Sequence, residues 1–211
     1  MTDYPFEPRL RESIRANLGR FAARAQPDDT LRRAAVAIVL ARDPGSGQAS
    51  VLLTLRAASL NRHGGQYALP GGRLDAGESA EQAARRELHE ELGLALDRGQ
   101  VLGRLDDYAT RSGFRITPFV LWCPPEAGII PDPSEVAAVY HIPLVELASP
   151  EIPRFHDNRN GDTPLLSAHI PTLGHEIYAP TAALLYQFRE VGLCARATRV
   201  AHFDQPAFAW K

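Results

Sequence analysis

Three glutamates, Glu87, Glu90 and Glu91, are spaced so that a helix would carry them on one face. Carboxylates this close repel one another, and the repulsion destabilises a helix that gains nothing in return. A divalent cation bound between them would reverse this effect, because Mg²⁺ and Mn²⁺ prefer oxygen ligands. The spacing therefore predicts a Mg²⁺ or Mn²⁺ site on this face. The alternative is a solvated surface helix that is rich in Glu and Arg.

A glycine-rich loop must place these carboxylates next to a ligand. Gly65, Gly71 and Gly72 lie in the segment before them, and glycine lets a backbone approach a ligand closely because it has no Cβ. We expect the helix to begin near Ser79, a favourable N-cap residue, and to end at Gly93, which suits the position after a helix. The sequence thus predicts a loop whose backbone can approach a ligand closely, followed by a helix with an acidic face.

Short strands and helices alternate along the rest of the chain, which indicates an α/β fold with a sheet between layers of helices. In the acidic helix, Ala84, Leu88 and Leu92 form the apolar stripe that enters the core. Pro118 interrupts one strand pattern and indicates an edge position, a bulge or a break. Residues 150–164 are polar and turn-rich, so we expect a mobile insertion there. Strands are predicted at residues 32–41, 51–55, 114–122, 135–142, 165–170 and 176–178, and further helices at residues 7–25, 143–147 and 181–191.

With 211 residues, 45% of them hydrophobic and 23% charged, the chain has the composition of a globular protein. We expect a helical extension at residues 1–30, packed on a main domain at residues 31–195, and a tail at residues 196–211. A formal net charge of −2 gives no electrostatic footprint for a long nucleic acid. The two cysteines, Cys123 and Cys194, form neither a disulfide framework nor a metal-ligand pattern.

The N-terminal sequence carries charges where a signal peptide would be apolar, and no segment reaches the length of a membrane span. We therefore expect a cytoplasmic protein without a membrane partner. The sequence leaves a homodimer open.

The segment from Gly72 to Leu94 resembles the signature of the Nudix family at every fixed position. That signature is a glycine, a glutamate after five residues and, after seven more, the run Arg-Glu-aliphatic-x-Glu-Glu-x-Gly-aliphatic. A pattern of nine ordered positions on a loop and helix is far more specific than a lone glycine motif. The matching residues are Gly72, Glu78, Arg86, Glu87, Leu88, Glu90, Glu91, Gly93 and Leu94.

The Nudix resemblance implies an α/β/α sandwich around a mixed β-sheet, and hydrolysis of a nucleoside diphosphate that is linked to another moiety. By the same resemblance, Glu87, Glu90, Glu91 and the Gly72 carbonyl bind the metal, while Glu78 pairs with Arg86 and fixes the loop against the helix. These residues form the expected catalytic site, in which the metal neutralises pyrophosphate oxygens and activates water. Glu91 is our candidate for the general base, although the resemblance does not assign that role.

The stretch before this signature resembles the one found in coenzyme A pyrophosphatases, with Asn61 and Leu69 departing from its expected Arg and Phe. Coenzyme A or an acyl-CoA would then be cleaved to adenosine 3′,5′-bisphosphate and 4′-phosphopantetheine or its acyl form. Guanidinium groups match phosphate oxygens well. The expected substrate-binding residues are Arg56, Arg62, His63, Gly65, Gly71 and Gly72.

Several of these residues have a second interpretation. Arg56 could form a strand-end salt bridge, and His63 could bond only the backbone of its turn. Arg111 and Arg115 flank a further turn that suits a phosphate, yet they could equally be solvated charges. Tyr67 and Phe114 could stack on adenine or could belong to the core.

Two other functions stay open at this stage. The first is a Nudix hydrolase for a different small nucleotide, such as ADP-ribose, a dinucleotide or an oxidised nucleotide. The second is a non-catalytic Nudix domain that senses a nucleotide.

Overall fold

The computed structural model describes residues 3–58, 64–157 and 163–206. In these ranges a mixed sheet is packed between helices, and a smaller antiparallel sheet follows near the C-terminus. The helices are α1 (Pro8–Arg20), α2 (Ala80–Leu92), α3 (Leu144–Leu147) and α4 (Thr181–Phe188), which continues as a π-helical turn, Arg189–Leu193. The strands are β1 (Arg32–Arg42), β2 (Ala49–Arg56), β3 (Tyr67–Ala68), β4 (Gly71–Arg73), β5 (Val101–Arg104), β6 (Tyr108–Ala109), β7 (Phe114–Trp122), β8 (Val136–Pro143), β9 (Arg154–His156), β10 (Leu165–Ile170) and β11 (His175–Tyr178).

Strand β1 lies at the centre of the mixed sheet. It pairs antiparallel with β2 and parallel with β7, and its N-terminal half also pairs antiparallel with β4. The main order is β3-β2-β1-β7-β5, with β8 added to β2 and β6 to β7, whereas β9, β10 and β11 form the smaller sheet. The pairing of β4 with β1 brings the glycine-rich loop to the centre of the sheet.

Alternate residues of β1 enter two different cores. Ala35, Ala37 and Val39 pack on the side of α2, whereas Ile38 and Leu40 pack on the side of α1 and α4. Because both faces of β1 are covered, its sequence is a nearly continuous apolar run rather than an alternating one. Helices therefore lie on both faces of the mixed sheet, and the predicted α/β/α sandwich is confirmed.

Pro118 lies inside a continuous strand with partners on both sides, so of the three alternatives the edge position and the break are wrong, while the pairing of β5 with β7 has an irregularity nearby, between Val101 and Gly103. The strand pairs with β1 through Pro118 without interruption, and Val36 is its partner there. The interruption lies in the outer neighbour of β7, because β5 ends at Arg104, opposite Phe119, and β6 begins at Tyr108, opposite Ile116. Proline has no N–H to donate, and the gap between β5 and β6 removes the need for one.

Helix α1 is shorter than predicted, because the backbone adopts an extended conformation at Phe21. The N–H of Arg24 donates to Asp106 Oδ1 at 2.7 Å, and the N–H of Asp107 donates to the Arg24 carbonyl at 2.9 Å. These bonds hold residues 21–25 as an extended segment rather than a further helical turn. Ile14 and Leu18 are buried in the core beside α4, so the helix packs on the main domain as expected.

The predicted insertion at residues 150–164 contains strand β9, which pairs with β10. The predicted hairpin of β10 and β11 is confirmed. Residues 196–206 also pack on the domain: Val200 is buried, and Tyr108 donates its hydroxyl hydrogen to the Phe203 carbonyl at 2.8 Å. The proposed boundaries at residues 30 and 195 stay a prediction. In the described ranges, no helix combines the length and the apolar character that crossing a membrane requires.

Candidate active site

Helix α2 has the ends that its sequence predicts. Ser79 and Gln82 form a reciprocal capping box, in which Ser79 Oγ accepts from the Gln82 N–H and Gln82 Oε1 accepts from the Ser79 N–H. At the other end, Gly93 is left-handed, with a φ of 68°, and its N–H donates to the His89 carbonyl at 2.9 Å. These caps satisfy backbone groups that a helix terminus leaves unpaired. The helix therefore holds its acidic face in a fixed register.

Residues 124–135 cross the last turn of α2. The N–H groups of Ile130 and Asp132 donate to the carbonyls of Leu92 and Glu91 at 2.8 and 3.0 Å. The same segment brings Glu135 close enough that its negative charge raises the pKa of both Glu87 and Glu91. Glu135 was missed from the sequence because it lies outside the signature, at the start of a strand.

Gly71 and Gly72 are each required by close contacts, but with different neighbours. A Cβ at Gly71 would lie closer than 3.0 Å to the backbone of Ala35 and Val36 on β1. A Cβ at Gly72 would instead lie closer than 3.0 Å to the carboxylate of Glu87. The absence of a side chain at Gly72 thus lets β4 approach the carboxylate directly.

Arg86 joins the loop to the acidic face of α2. Its Nη1 donates to Glu87 Oε1 at 3.0 Å and to Glu90 Oε2 at 2.7 Å, and it also pairs with Glu78 through two further bonds. Its Nη2 donates to the Arg73 carbonyl at 2.9 Å. The structure thus brings Glu78 and Arg86 together, as the Nudix resemblance implied.

Glu91 is the most buried of the acidic residues in this region, with 2% of its side chain exposed. Burial raises its pKa from 4.5 to about 7, the charges of Glu87 and Glu135 add to the rise, and Arg56 opposes it. Arg56 Nη1 donates to Glu91 Oε1 at 3.2 Å, and the Gly71 N–H donates to Oε2 at 3.3 Å. Burial also raises the pKa of Glu87. Negative charge at this position is therefore only partly compensated by the protein.

The donor set suits a hard divalent cation. Glu87, Glu90 and Glu91 offer carboxylate oxygens, and the open approach at Gly72 leaves its backbone next to Glu87. Over the described ranges, no three Asp, Glu, His or Cys side chains are arranged as a ready metal cage. The acidic residues are instead bonded to Arg86 and Arg56. Burial raises the pKa of both Glu87 and Glu91, and a cation bound beside them would stabilise their ionised forms.

Of the other residues predicted to bind substrate, Arg56 lies against Glu91 and Gly65 lies against Arg56. Gly65 donates its N–H to the Arg56 carbonyl at 3.0 Å, which closes the base of the loop. The salt-bridge alternative for Arg56 is observed, with Glu91 as its partner. Arg62 and His63 lie outside the described residues, and so does Asn61.

The residues considered for a second phosphate or base contact have protein partners. Arg111 pairs with Asp204 through two hydrogen bonds, and Arg115 donates to the Gln26 carbonyl at 2.8 Å. Tyr67 packs edge-to-face on Tyr140 at 5.5 Å between ring centroids. The ring of Phe114 has the guanidinium groups of two arginines near it, Arg32 at 4.0 Å and Arg73 at 5.2 Å.

A mixed sheet between helices, with an acidic loop and helix against its central strand, defines the class of the protein as a Nudix-type α/β domain. The family model of the NUDIX domain matches residues 31–161, more than half of the chain. The chain belongs to the Nudix family.

Relatives with curated names agree with this assignment. The chain is 40% identical over 116 residues to the uncharacterised Nudix hydrolase NudL of Cronobacter sakazakii, a match that covers 54% of this chain and 59% of that protein. It is 34% identical over 164 residues to the uncharacterised NudL of Yersinia pestis, with 72% and 76% covered. The match to the first of these thus spans about three fifths of that relative. A crystal structure of a MutT/nudix family protein from Enterococcus faecalis aligns with a TM-score of 0.48 at 16% identity, covering 68% of this chain and 53% of that one.

Proposed function

We propose that this Nudix domain is a metal-dependent pyrophosphohydrolase of coenzyme A or acyl-CoA. Its products would be adenosine 3′,5′-bisphosphate and 4′-phosphopantetheine or the acyl form. The observation that carries the hydrolytic part is the buried, only partly compensated carboxylate of Glu91, beside Glu87 and the side-chain-free Gly72. Nudix hydrolases generally use divalent cations and act on small nucleotides, which agrees with this site.

The residues of the chain divide the work of this reaction. Glu87, Glu90, Glu91 and the Gly72 carbonyl would hold the cation, while Arg86 ties the loop to the helix. When bound, the cation neutralises phosphate oxygens and lowers the pKa of a water molecule. Glu91 is our candidate to accept the proton of the attacking water, because it is the least exposed of the signature glutamates and adjoins the backbone of the loop at Gly71.

The preference for coenzyme A is supported by the stretch that leads into the site. Residues 52–58 and 64–72 contain the end of β2, all of β3 and the start of β4, and they end at the acidic face of α2. Leu69 departs from the phenylalanine of the coenzyme A signature, but only 5% of it is exposed and it packs in the core. This departure therefore changes the packing below the loop rather than a surface that a ligand could contact.

The other functions differ from this proposal in measurable ways. A Nudix hydrolase for ADP-ribose, a dinucleotide or an oxidised nucleotide would use the same carboxylates with a different loop. A non-catalytic sensor has no need for the acidic residues of the signature, and this chain keeps all of them.

Hydrolysis of a substrate panel with product identification by mass spectrometry tests the proposal. We expect turnover of coenzyme A or an acyl-CoA with Mg²⁺ or Mn²⁺, and a loss of at least about a hundredfold in Glu90→Gln and Glu91→Gln. Glu12→Gln, an exposed glutamate on α1, is the matched control and should retain full turnover. Turnover of ADP-ribose, dinucleotides or oxidised nucleotides alone would overturn the coenzyme A assignment. Metal-independent turnover, or none at all, would overturn the hydrolytic mechanism.

A further inference from the structure

We propose that Arg56 is a metal-gated phosphate contact: Glu91 holds its guanidinium until a divalent cation takes over that carboxylate. This inference rests on the proposed function, since it assumes that Glu91 binds the metal and that the substrate carries a diphosphate. It adds a residue outside the signature, and an order in which metal precedes tight substrate binding.

The contact between Arg56 and Glu91 is one that can be exchanged. Among the described residues, the Arg56 side chain makes one hydrogen bond, from Nη1 to Glu91 Oε1 at 3.2 Å. A guanidinium has five N–H donors, so four remain for another acceptor. The two side chains also differ in access, because 25% of Arg56 is exposed against 2% of Glu91. The arginine is therefore the partner that can turn toward a ligand, whereas the carboxylate is fixed.

The backbone of Arg56 is anchored, so only its side chain needs to move. Its N–H donates to the Gln66 carbonyl and its carbonyl accepts from the Gly65 N–H, both at 3.0 Å. The next residue, Ala57, donates to the Glu135 carbonyl at 2.8 Å, beside a β-bulge in the pairing of β2 with β8. Bulges are frequent beside active sites, where they aim a side chain. The guanidinium thus starts from a fixed point between the loop and the carboxylates.

Charge decides which partner Arg56 takes. Without a cation, Glu91 is the acceptor of the guanidinium, and the protein's own carboxylate competes with any phosphate. A divalent cation on Glu91 would place its two positive charges next to the positive charge of the Arg56 guanidinium, and like charges this close repel. A diphosphate bound to the same cation offers Arg56 a stronger acceptor, since guanidinium and phosphate form bidentate pairs. Metal and substrate binding should therefore be coupled through this one residue.

The test measures binding of α,β-methylene-ADP, a nucleoside diphosphate analogue with a P–CH₂–P bridge that cannot be hydrolysed there. Isothermal titration calorimetry would compare the wild-type chain with three variants, with Mg²⁺ present or with EDTA. The variants are Arg56→Gln, Glu91→Gln and the double variant. Arg9→Gln, an exposed arginine on α1, is the control for the loss of one positive charge.

We expect Arg56→Gln to lower the affinity about tenfold with Mg²⁺ and to leave it unchanged in EDTA, within the usual range for coupled sites. Glu91→Gln should raise the EDTA affinity severalfold, because it frees Arg56, and the double variant should lose that gain. Arg56→Gln leaves the buried Glu91 carboxylate without its partner and could unfold for that reason. The double variant removes both charges, so its affinity can still be compared with that of Glu91→Gln. The gating would be overturned if Arg56→Gln lost the same affinity with and without Mg²⁺, or if Glu91→Gln gained no affinity in EDTA. If the wild-type chain turns over coenzyme A with metal but shows no metal-dependent binding of the analogue, only the gating fails, whereas absence of metal-dependent turnover removes the proposed function itself.

Discussion

Arg86 binds Glu78 with two parallel hydrogen bonds, from Nε to Oε1 at 3.0 Å and from Nη2 to Oε2 at 3.1 Å. These bonds lower the pKa of the Glu78 carboxyl. Because Arg86 also reaches Glu87, Glu90 and the backbone carbonyl of Arg73, it connects strand β4 with the acidic face of α2. Its removal should therefore affect both stability and metal binding.

Replacing Arg86 by Ala should lower the free energy of unfolding by about 1–3 kcal/mol, because it leaves several carboxylates without their donor. Arg86→Lys should recover less than half of this loss, since an ammonium cannot form the same fork. The control is Arg85→Ala, whose side chain pairs with Glu81 only at 4.0 Å and should change stability by less than about 0.5 kcal/mol. Urea unfolding of the three variants measures these differences. Equal losses for Arg85→Ala and Arg86→Ala would contradict the bridging role of Arg86.

Alanine at the two neighbouring glycines should have separable effects. Gly71→Ala forces a Cβ into the backbone of β1, so we expect a loss of several kcal/mol in stability or no folded protein. Gly72→Ala displaces only the Glu87 carboxylate, and so should fold yet bind Mn²⁺ at least about tenfold more weakly. Gly128→Ala, with open space around its Cβ, is the neutral control. Electron paramagnetic resonance of Mn²⁺ and thermal unfolding separate the outcomes, and normal Mn²⁺ binding by Gly72→Ala would contradict the role of this glycine.

The elements around the site could be predicted because their signals are local. The capping box at Ser79 and the left-handed Gly93 set the ends of α2 from neighbouring residues alone. The position of Pro118 was predicted wrongly because β7 lies between the β5–β6 segment and β1. Its pairing with β1, which is distant in sequence, could not be seen from the residues around Pro118. Glu135 was missed for a similar reason: the crossing of residues 124–135 over α2 is a tertiary contact.

The roles of the arginines show the same limit. Their attraction to phosphate can be stated from the sequence, but which carboxylate lies nearest cannot. The structure gives Arg111 the partner Asp204, from the segment after residue 195, and gives Arg56 the partner Glu91. A charged side chain near a predicted ligand site therefore needs the fold before its partner is known.

Arg111 should act on stability rather than on substrate affinity. Its guanidinium holds the Asp204 carboxylate and keeps the pKa of that group below its usual range. We expect Arg111→Ala to lower the melting temperature while KM for the hydrolysed substrate stays within about twofold, less than the loss expected for a phosphate contact. Because the folded-state pKa of Asp204 is depressed, the pair stabilises the protein above the unfolded-state value and is lost as pH falls through the folded-state one. A severalfold rise in KM at unchanged melting temperature would restore Arg111 as a phosphate contact.

Glu91 should make the metal-free protein less stable as pH rises. Its pKa is raised by folding from 4.5 to about 7, so the folded state favours the protonated carboxyl. The resulting stabilisation is fully present below pH 4.5 and is lost as pH rises through about 7, by an amount of about 3 kcal/mol. In EDTA, the free energy of unfolding of the wild-type chain, measured with urea, should therefore fall relative to that of Glu91→Gln across this pH window. Glu12→Gln should follow the wild type. Added Mg²⁺ should restore the wild-type chain at the upper end and leave Glu91→Gln nearly unchanged, because only the ionised carboxylate binds the cation. Parallel pH profiles for the wild-type chain and Glu91→Gln would show that this carboxylate is ionised at no cost, and would remove it as the acid–base group of the site.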